Sequence, residues 1–379
     1  MATPWSRTIF RVSFGGNDVS DRLRPFLISL EVQDKAGSVS DTARIVVDDT
    51  GGRFALPQKG DPVSIALGTL GRGVVPRFEG TVDSVRSRLD RGGGLTLEIA
   101  AKGLDTTSPA KQPNQKHADD KTLGDVAGEF GKSGGLPGGI EVHSSLASIR
   151  RPYWSMDDES VIAWGQRVAA EVGATFKVVG QKGVMVPRSS GLSASGKSLV
   201  AITVQRGANL ISADIAPQIA RPEYQRVRAR WYDTAEARWK EKEVEVEGSG
   251  GSSGGGSSAR QSLRFTRPDE DEADWVAGAE GKDSEREKGG GRVDIDGEPM
   301  ALAECPVVVS GVRPGVDGQY TAETVTDKVS RQQGYVTTID IVRPEASSSG
   351  GGGSSGSGNT GSTTATGGGT GAPAQRFFD

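Results

Sequence analysis

One stretch of the sequence has the spacing of a phosphate-binding loop. Residues 191–198 read GLSASGKS and satisfy the G-x-x-x-x-G-K-[ST] pattern in full. Such a loop needs a strand before it and a helix after it, because the phosphates sit on the helix N-terminus. The following residues, 199–204, alternate β-branched positions, which predicts a strand instead. We therefore interpret 191–198 as a Ser/Gly connection, and a P-loop nucleotide-binding protein stays the weaker alternative.

The other residues that could do chemistry are few. His117 and His143 are the only histidines and lie far apart in sequence, whereas a zinc site needs closer or more numerous ligands. Cys305 is the only cysteine, so it forms no intrachain disulfide and is predicted to be a small buried hydrophobe. The acidic run at 269–272 could supply the carboxylate pair of a cell-wall hydrolase, but we interpret it as a solvated face. We predict no catalytic, cofactor or metal residues, and a protein that is not an enzyme.

A basic cluster next to two aromatic residues could contact nucleic acid. The residues concerned are Arg221, Arg226, Arg228, Arg230, Trp231 and Tyr232. Three of these arginines alternate on one strand face, which favours a solvated or inter-subunit face. The net charge of −4 gives no electrostatic footprint for nucleic acid, so sequence-specific nucleic-acid binding is not expected.

Bulk properties narrow the class of protein further. No run approaches the ~18 apolar residues that span a bilayer, and residues 1–14 lack the apolar core of a secretory signal. The lone cysteine fits folding in a reducing cytoplasm. We expect no membrane partner.

Residues 1–105 are predicted to form an antiparallel β-barrel. Short strand-like runs are separated by Gly-rich turns at regular spacing. The runs lie at 26–32, 43–48, 62–68, 78–88 and 95–100, with turns at 49–52 and 90–94.

Residues 106–198 change character and predict a small α+β module. Apolar residues at 123, 126, 127 and 130 have helical spacing, and Thr122 can cap that helix. A second helix is predicted at 160–172, with acidic residues at its positive end. A hairpin is predicted from 175 to 186.

Residues 199–345 return to strand-like runs and predict a second β-barrel domain. Strands are expected at 199–205, 223–232, 243–247 and 292–341. A Gly/Ser stretch at 248–258 cannot bury a core and predicts a mobile loop. A highly charged helix is expected at 269–288, with Trp275, Val276 and Ala279 on its apolar side. Residues 346–379 predict a Gly/Ser-rich disordered tail.

The two β regions predict an internal repeat. Residues 62–68 (PVSIALG) correspond to 306–311 (PVVVSG), and 94–99 (GLTLEI) correspond to 334–339 (GYVTTI). Between them, Phe78 is matched with Tyr320, and 81–83 with 324–326. The fold class is therefore mainly β: two related antiparallel barrels flanking an α+β module. A trimer of such a chain would present six equivalent faces, matching a six-fold partner on one side and a three-fold partner on the other.

At this point the chain resembles the late control D family, the baseplate hub proteins of contractile phage tails. It is also similar to the hub portion of type VI secretion spike proteins. The order and spacing of four segments indicate the resemblance, which covers most of residues 8–342: 43–54 (ARIVVDDTGGRF) leading to 62–65; 78–83 (FEGTVD) with 95–105; the two module helices with 193–198 (SASGKS); and 295–299 (IDGEP) through 317–320 (DGQY) to 334–339. The Gly/Ser segments at 248–258 and after 345 depart from the family pattern.

The resemblance implies a structural hub in the virion tail baseplate, assembled in the host bacterial cytoplasm. It implies a homotrimer that contacts the tail tube protein, a trimeric spike protein and other baseplate proteins. The hub of a non-phage contractile injection system, type VI-like or extracellular, is an open alternative, because the hub chemistry is shared.

The Ser/Gly interpretation of 191–198 can be tested directly. We expect the intact chain and a Lys197→Ala variant to show the same absence of ATP binding in isothermal titration. ATP binding that is lost in Lys197→Ala would contradict the interpretation, and clearing of a cell-wall zymogram would support the hydrolase alternative.

Overall fold

A computed structural model of the chain describes residues 8–37, 40–104, 108–192, 197–217, 226–245, 260–286 and 289–344. The chain divides into two units, residues 1–346 and 347–379, and every described residue belongs to the first. The predicted Gly/Ser loop and C-terminal tail therefore lie outside the described residues.

Strands dominate the described residues. In chain order they are β1 (Thr8–Phe14), β2 (Asn17–Asp18), β3 (Leu27–Lys35), β4 (Thr42–Asp48), β5 (Pro62–Thr69), β6 (Gly73–Asp90), β7 (Gly94–Lys102), β8 (Pro113–Thr122), β9 (Ile140–Val142), β10 (Arg150–Ser160), β11 (Ala174–Val179), β12 (Lys182–Pro187), β13 (Ile202–Gln205), β14 (Leu210–Ala216), β15 (Arg226–Asp233), β16 (Arg238–Glu245), β17 (Arg260–Ser262), β18 (Gly290–Asp296), β19 (Pro306–Ser310), β20 (Gly318–Ser330) and β21 (Gly334–Val342). The helices are α1 (Ser20–Leu23), α2 (Leu123–Ser133), α3 (Ser144–Ala147), α4 (Val161–Glu171) and α5 (Glu270–Arg286), with a 3₁₀ turn at Pro109–Lys111.

The first barrel is a curled antiparallel sheet in the order β1–β5–β6–β7–β4–β3. Its strands alternate buried apolar and exposed polar residues, so one face of the sheet can close on a core. Phe10 on β1 and Leu30 on β3 stand at opposite ends of the strand order, yet both belong to one buried cluster. The sheet must therefore wrap around its own core.

The second barrel has the strand order β13–β19–β20–β21–β18–β14. Its buried cluster includes Val204, Val293, Val307, Val325 and Ile339 from five of these strands. The fold class predicted from the sequence, mainly β with two related barrels, is confirmed. The barrels differ in one pairing, because β13 runs parallel to β19 whereas β1 runs antiparallel to β5.

The two barrels repeat the same strand register. In each, the register of the long strand shifts by one residue at the same place, at Asp83 in β6 and at Glu323 in β20. In each, the hairpin ends on a glycine with positive φ, Gly94 at 75° and Gly334 at 72°. The strands at the end of each barrel, β3 and β14, also have a one-residue register shift at the same place, at Ile28 and at Ile211.

This register corrects part of the alignment made from sequence. The pairing Thr81 with Lys102 matches Thr321 with Val342, so residues 81–83 correspond to 321–323 and not to 324–326. Tyr320 corresponds to Gly80 rather than Phe78, since each pairs with the residue after the strand proline. The error arose because both strands alternate, and an alternating pattern looks alike at several offsets.

The α+β module lies between the two barrels in sequence. Thr122 and Ser160 cap helices α2 and α4, accepting hydrogen bonds from the backbone N–H groups of Asp125 and Ala163, as the sequence predicted for the first of them. The helices pack Phe130 against Trp164 in the module core. The predicted hairpin is β11–β12. The polar pair β8–β10 was missed, since its residues show little apolar alternation.

A separate small sheet corrects the prediction for residues 223–247. β15 overlaps most of the predicted strand 223–232, whereas β16 begins at Arg238, five residues before the predicted strand 243–247. With β17 these strands form a separate three-stranded sheet and do not join the second barrel. The charged helix α5 packs on this sheet, with Ala273 and Ala277 against Trp231. The sequence analysis did not predict β14, which pairs with β18 in the second barrel. The predicted domain boundaries at 105, 198 and 345 stay predictions.

Candidate functional site at the joint between the barrels

A pair of strands joins the two barrels. The outer half of β20 pairs antiparallel with β3, from Thr324 opposite Lys35 to Ser330 opposite Ser29. This pairing joins both barrels into one 13-stranded sheet. We call the β3–β20 pairing the intrachain joint. Main-chain hydrogen bonds fix it in register, because a slip of one residue would turn every side chain to the other face.

The side chains at the intrachain joint are shared between the barrels. Val329 and Tyr335 come from the β20–β21 hairpin of the second barrel, but both belong to the buried cluster of the first. They are 5% and 7% exposed. Burial of these side chains stabilises the joint by about 2–3 kcal/mol each, so the barrels share a core as well as a sheet.

A buried ion pair crosses the intrachain joint. Nε of Arg77, on β6, donates to Oδ2 of Asp327, on β20, at 2.7 Å, and the two side chains are 1% and 0% exposed. The hydroxyls of Tyr335 and Thr337 donate to the other carboxylate oxygen at 3.0 and 2.7 Å. Burial raises the pKa of Asp327, and Arg77 with these two donors opposes that shift.

Asp34, near the end of β3, touches all three main parts of the chain. Its Oδ1 accepts from Nζ of Lys177, on β11 of the module, at 2.6 Å. Its Oδ2 accepts from the backbone N–H of Ala303, which precedes β19 of the second barrel, at 3.0 Å. Lys177 also lies 2.6 Å from Asp41, across the turn of the β3–β4 hairpin. One lysine thus fastens the module to the first barrel.

The two carboxylates that share Lys177 have opposite pKa shifts. Burial, and then repulsion from Asp34, raise the pKa of Asp41 from 3.8 to about 6. Burial works against ionisation of Asp34 as well, but Lys177 and its hydrogen bonds outweigh that effect and lower its pKa. Asp34 is therefore the ionised partner, and Asp41 is the member that titrates in mild acid.

Glu304 fastens the module and α5 to the second barrel. Its carboxylate accepts from the hydroxyl of Thr175 at 3.2 Å and from the backbone N–H of Ser189 at 2.6 Å. Arg286 of α5 lies 3.8 Å from it. A cleft of about 870 Å³ opens beside these residues and is also lined by Arg188 and Asp283, which pair with each other. Its lining contains three arginines and five carboxylates, so the cleft is acidic on balance.

The residues weighed for chemistry do not converge on one centre. His117 stacks on Tyr153 at 6.2 Å between ring centroids, while His143 caps helix α3. Cys305 is buried, as predicted, and burial raises the pKa of its thiol to about 11. Among the described ranges, no group of three or more His, Cys, Asp or Glu side chains could hold a metal ion.

The structure around residues 191–198 is not that of a P-loop. Residues 193–196 of that segment lie outside the described residues, but Leu192 and Ser198 on either side form an antiparallel bridge. The element that follows is the strand β13 and not a helix.

The basic cluster is a charged sheet face. Arg226 lies 3.4 Å from Glu243, and Arg228 lies 3.0 Å from Glu241, on the neighbouring strand β16. Arg221 lies outside the described residues.

The acidic run at 269–272 is only partly solvated. Glu272 is 7% exposed and lies 3.5 Å from Arg151 of the module, so its prediction as a solvated residue was wrong. Burial raises the pKa of Glu272. Within the described part of the chain, no helix has both the length and the apolar character of a membrane span.

Sequence reasoning missed the joint itself. Arg77 and Asp327 are 250 residues apart, and no local pattern connects them. One signal was available: residues 27–29 and 210–212 both read LIS, at equivalent places in β3 and β14.

The architecture is that of phage tail proteins of known structure. A tail protein from Neisseria meningitidis MC58 has a TM-score of 0.66 at 14% identity, over 89% of this chain and 97% of that one. The 43 kDa tail protein of prophage MuSo2 from Shewanella oneidensis has a TM-score of 0.63 at 15% identity, over 89% and 98%. The E. coli c3393 protein, described as a component of the type VI secretion system, has 0.54 at 10% identity, over 89% and 77%. At these identities the likeness establishes the fold.

Similarity in sequence is narrower and more specific. The chain is 28% identical over 197 residues to the probable baseplate hub protein of Escherichia phage 186, covering 52% of this chain and 49% of that protein. It is 25% identical over 197 residues to the probable baseplate hub protein of Escherichia phage P2, covering 52% and 50%. The chain thus spans about half the length of the curated relatives it matches. No family model matches the chain. The predicted resemblance to phage baseplate hub proteins is confirmed.

The buried ion pair gives a test of the intrachain joint. Arg77→Met leaves the Asp327 carboxylate buried without its partner, which should lower the free energy of unfolding by about 3–5 kcal/mol. Urea unfolding followed by tryptophan fluorescence measures this loss. The double variant Arg77→Met/Asp327→Leu should recover most of it, because it removes both charges.

A matched control lies on the same barrel. Arg72 also reaches the second barrel, 3.2 Å from Glu298, but its side chain is 72% exposed. Arg72→Met should therefore cost less than about 1 kcal/mol. Equal losses for Arg77→Met and Arg72→Met would show that the buried pair does not stabilise the joint.

The raised pKa of Asp41 predicts a pH dependence. Its unfolded value near 3.8 lies below its folded value of about 6, so the folded state binds more protons in between, and the contribution of Asp41 to stability falls as pH rises from about 4 to about 6. Asp41→Asn removes this titration. The stability of Asp41→Asn relative to wild type should therefore rise over that interval, measured by urea unfolding at each pH.

Asp34→Asn is the matched control, because the lowered pKa of Asp34 gives the opposite sign. Its loss of stability should be fully present at pH 7 and should diminish only below the ordinary aspartate range. A difference between Asp41→Asn and wild type that is flat from pH 4 to pH 6 would refute the assignment.

Proposed function

We propose that this chain is the structural hub of a contractile phage-type tail. It forms a homotrimer whose six barrels match the six-fold tail tube on one side and the three-fold spike on the other. The observation that best supports this is the repeated register of the two barrels, including the one-residue register shifts at Asp83 and Glu323. Two equivalent barrels per chain turn three-fold into approximate six-fold symmetry.

The intrachain joint supports a mechanical function. A shared sheet, a shared core and a buried ion pair hold the barrels as one body, so force applied to one barrel passes to the other without a flexible linker. The module is fastened at Lys177 and Glu304 to both barrels. Tube, hub and spike can then move together during contraction.

The relatives and the buried charges support a protein that is not an enzyme. The curated relatives are named as probable baseplate hub proteins, and the solved neighbours as tail proteins. The buried charged groups at the joint pair with one another and stabilise contacts between parts of the chain. We place the protein in the virion tail baseplate, assembled in the host bacterial cytoplasm, with tail tube, spike and other baseplate proteins as partners.

A second candidate is the hub of a non-phage contractile injection system. The likeness to the E. coli type VI component, at a TM-score of 0.54, favours it, because the two-barrel fold serves both kinds of particle. Imaging the particle purified from the producing strain separates them, since a phage particle carries a DNA-filled head.

The proposed homotrimer can be tested by mass in solution. Size exclusion with light scattering, with and without the candidate spike and tube proteins, should give about 118 kDa for the hub, three times the 39.5 kDa chain. A persistent monomer in all of these conditions would contradict the adaptor function and would shift weight to the enzyme alternatives.

A further inference from the structure

Two edges of the large sheet have no neighbour among the described residues. β14 stands at one end of the strand order and pairs only with β18. The outer half of β6, from Ser84 to Asp90, pairs only with β7, because β5 covers only the half up to Thr81. Open edges of this kind are templates for pairing with another chain.

These two edges are the repeat counterparts of the strands that meet in the intrachain joint. β14 corresponds to β3, because each pairs with the next strand around the same unpaired isoleucine, Ile211 or Ile28. β6 corresponds to β20, because each pairs with its hairpin partner around Asp83 or Glu323. Within one chain, only one of the two possible joints is made.

The register of the intrachain joint can be transferred to the open edges residue by residue. Lys328 lies opposite Glu31 in the intrachain joint, and the transfer places Arg88 opposite Asp214. The charges are complementary in both cases, which favours cross-strand pairing. Val329 opposite Leu30 becomes Leu89 opposite Ala213.

The two open edges leave side chains exposed whose counterparts in the intrachain joint are buried. Leu89 is 76% exposed, whereas its counterpart Val329 is 5% exposed in the core of the neighbouring barrel. Ala213 is exposed, whereas its counterpart Leu30 is fully buried. Val329 is therefore buried in the core of a neighbouring barrel, whereas Leu89 has no such core to pack against in the single chain.

We propose that the outer half of β6 in one copy pairs antiparallel with β14 of the next copy, in the register of the intrachain joint. We call this pairing the interchain joint. It rests on the homotrimer of the proposed function and names the contact that closes it. The interface is head-to-tail, with different surfaces on the two sides, and such an interface forms a ring when the rotation closes. Intrachain and interchain joints then alternate around six barrels.

The interchain joint lacks the buried carboxylate of its counterpart. Ser87 stands where the intrachain joint has Asp327. The buried carboxylate is therefore absent, and the contact depends on main-chain hydrogen bonds, the Leu89 side chain and the Arg88–Asp214 pair. An edge that is exposed before assembly avoids burying a charge in this way.

A charged residue in place of Leu89 tests whether the outer half of β6 forms the interchain joint. Leu89→Asp should reduce the trimer fraction by about tenfold or more, because a carboxylate would enter an apolar joint. Its melting temperature as a monomer should be unchanged, since Leu89 is exposed there. Leu70→Asp is the control: Leu70 belongs to the same barrel, is 61% exposed and lies outside both edges. It should leave the trimer intact.

Cysteine pairs test the register. A chain carrying Arg88→Cys and Asp214→Cys should form covalent trimers on mild oxidation, read on a non-reducing gel. The slipped pair Arg88→Cys/Ala216→Cys should not, because its Cα atoms would lie beyond the ~7 Å that a disulfide spans. Arg88→Cys alone controls for Cys305.

The outcomes separate this inference from the proposed function. A trimer that persists in Leu89→Asp, or that crosslinks only through the slipped pair, overturns the interchain joint and leaves the hub proposal standing. A wild-type chain that stays monomeric with and without spike and tube overturns both. Loss of the trimer in Leu89→Asp alone, with crosslinking in the transferred register, supports the interchain joint.

Discussion

The pairing of β3 with β20 is the constraint on which the rest of the structure depends. It makes one sheet of two barrels, and it brings the β20–β21 hairpin against the first barrel so that Val329 and Tyr335 complete its core. Arg77 can be buried only because Asp327 reaches it across this pairing. Without the joint, β3 and the outer half of β20 would lack this pairing, the first barrel would lack part of its core, and Arg77 would lose its partner.

The buried charges of this chain connect its parts. Asp34, Lys177 and Glu304 each join residues that are distant in sequence, and each satisfies its hydrogen-bonding groups with partners from a different part of the fold. Buried charges stabilise a structure only when they are paired in good geometry. Their positions therefore specify one relative placement of barrels and module.

Local patterns predicted much of this fold. Alternating residues located β4, β5 and β7, and a capping threonine located the start of α2. β8 was missed because it is nearly all polar, and its stability comes from pairing with β10. β14 was missed because its seven residues are mostly exposed, so they lack the alternation that burial imposes.

The intrachain joint could not be predicted from local sequence patterns for a different reason. Strand register is set by pairing, and an alternating sequence fits several offsets equally well. That ambiguity caused the three-residue error in aligning the repeats, and it concealed the partnership of Arg77 with Asp327. The register shifts at residues 83 and 323 fix the offset, but they can be identified only once the hairpin partners are known.

The distance in sequence between β3 and β20 affects how the chain can fold as it is synthesised. β3 ends at Lys35, but the strand that covers its edge is not complete until Ser330 has been made. Contacts of such high sequence separation form late and slowly. For most of the time on the ribosome, β3 would present an uncovered edge, which exposes a nascent chain to aggregation. Glu31 and Lys35 place charges on this strand, and charges on an open edge disfavour its pairing with another chain.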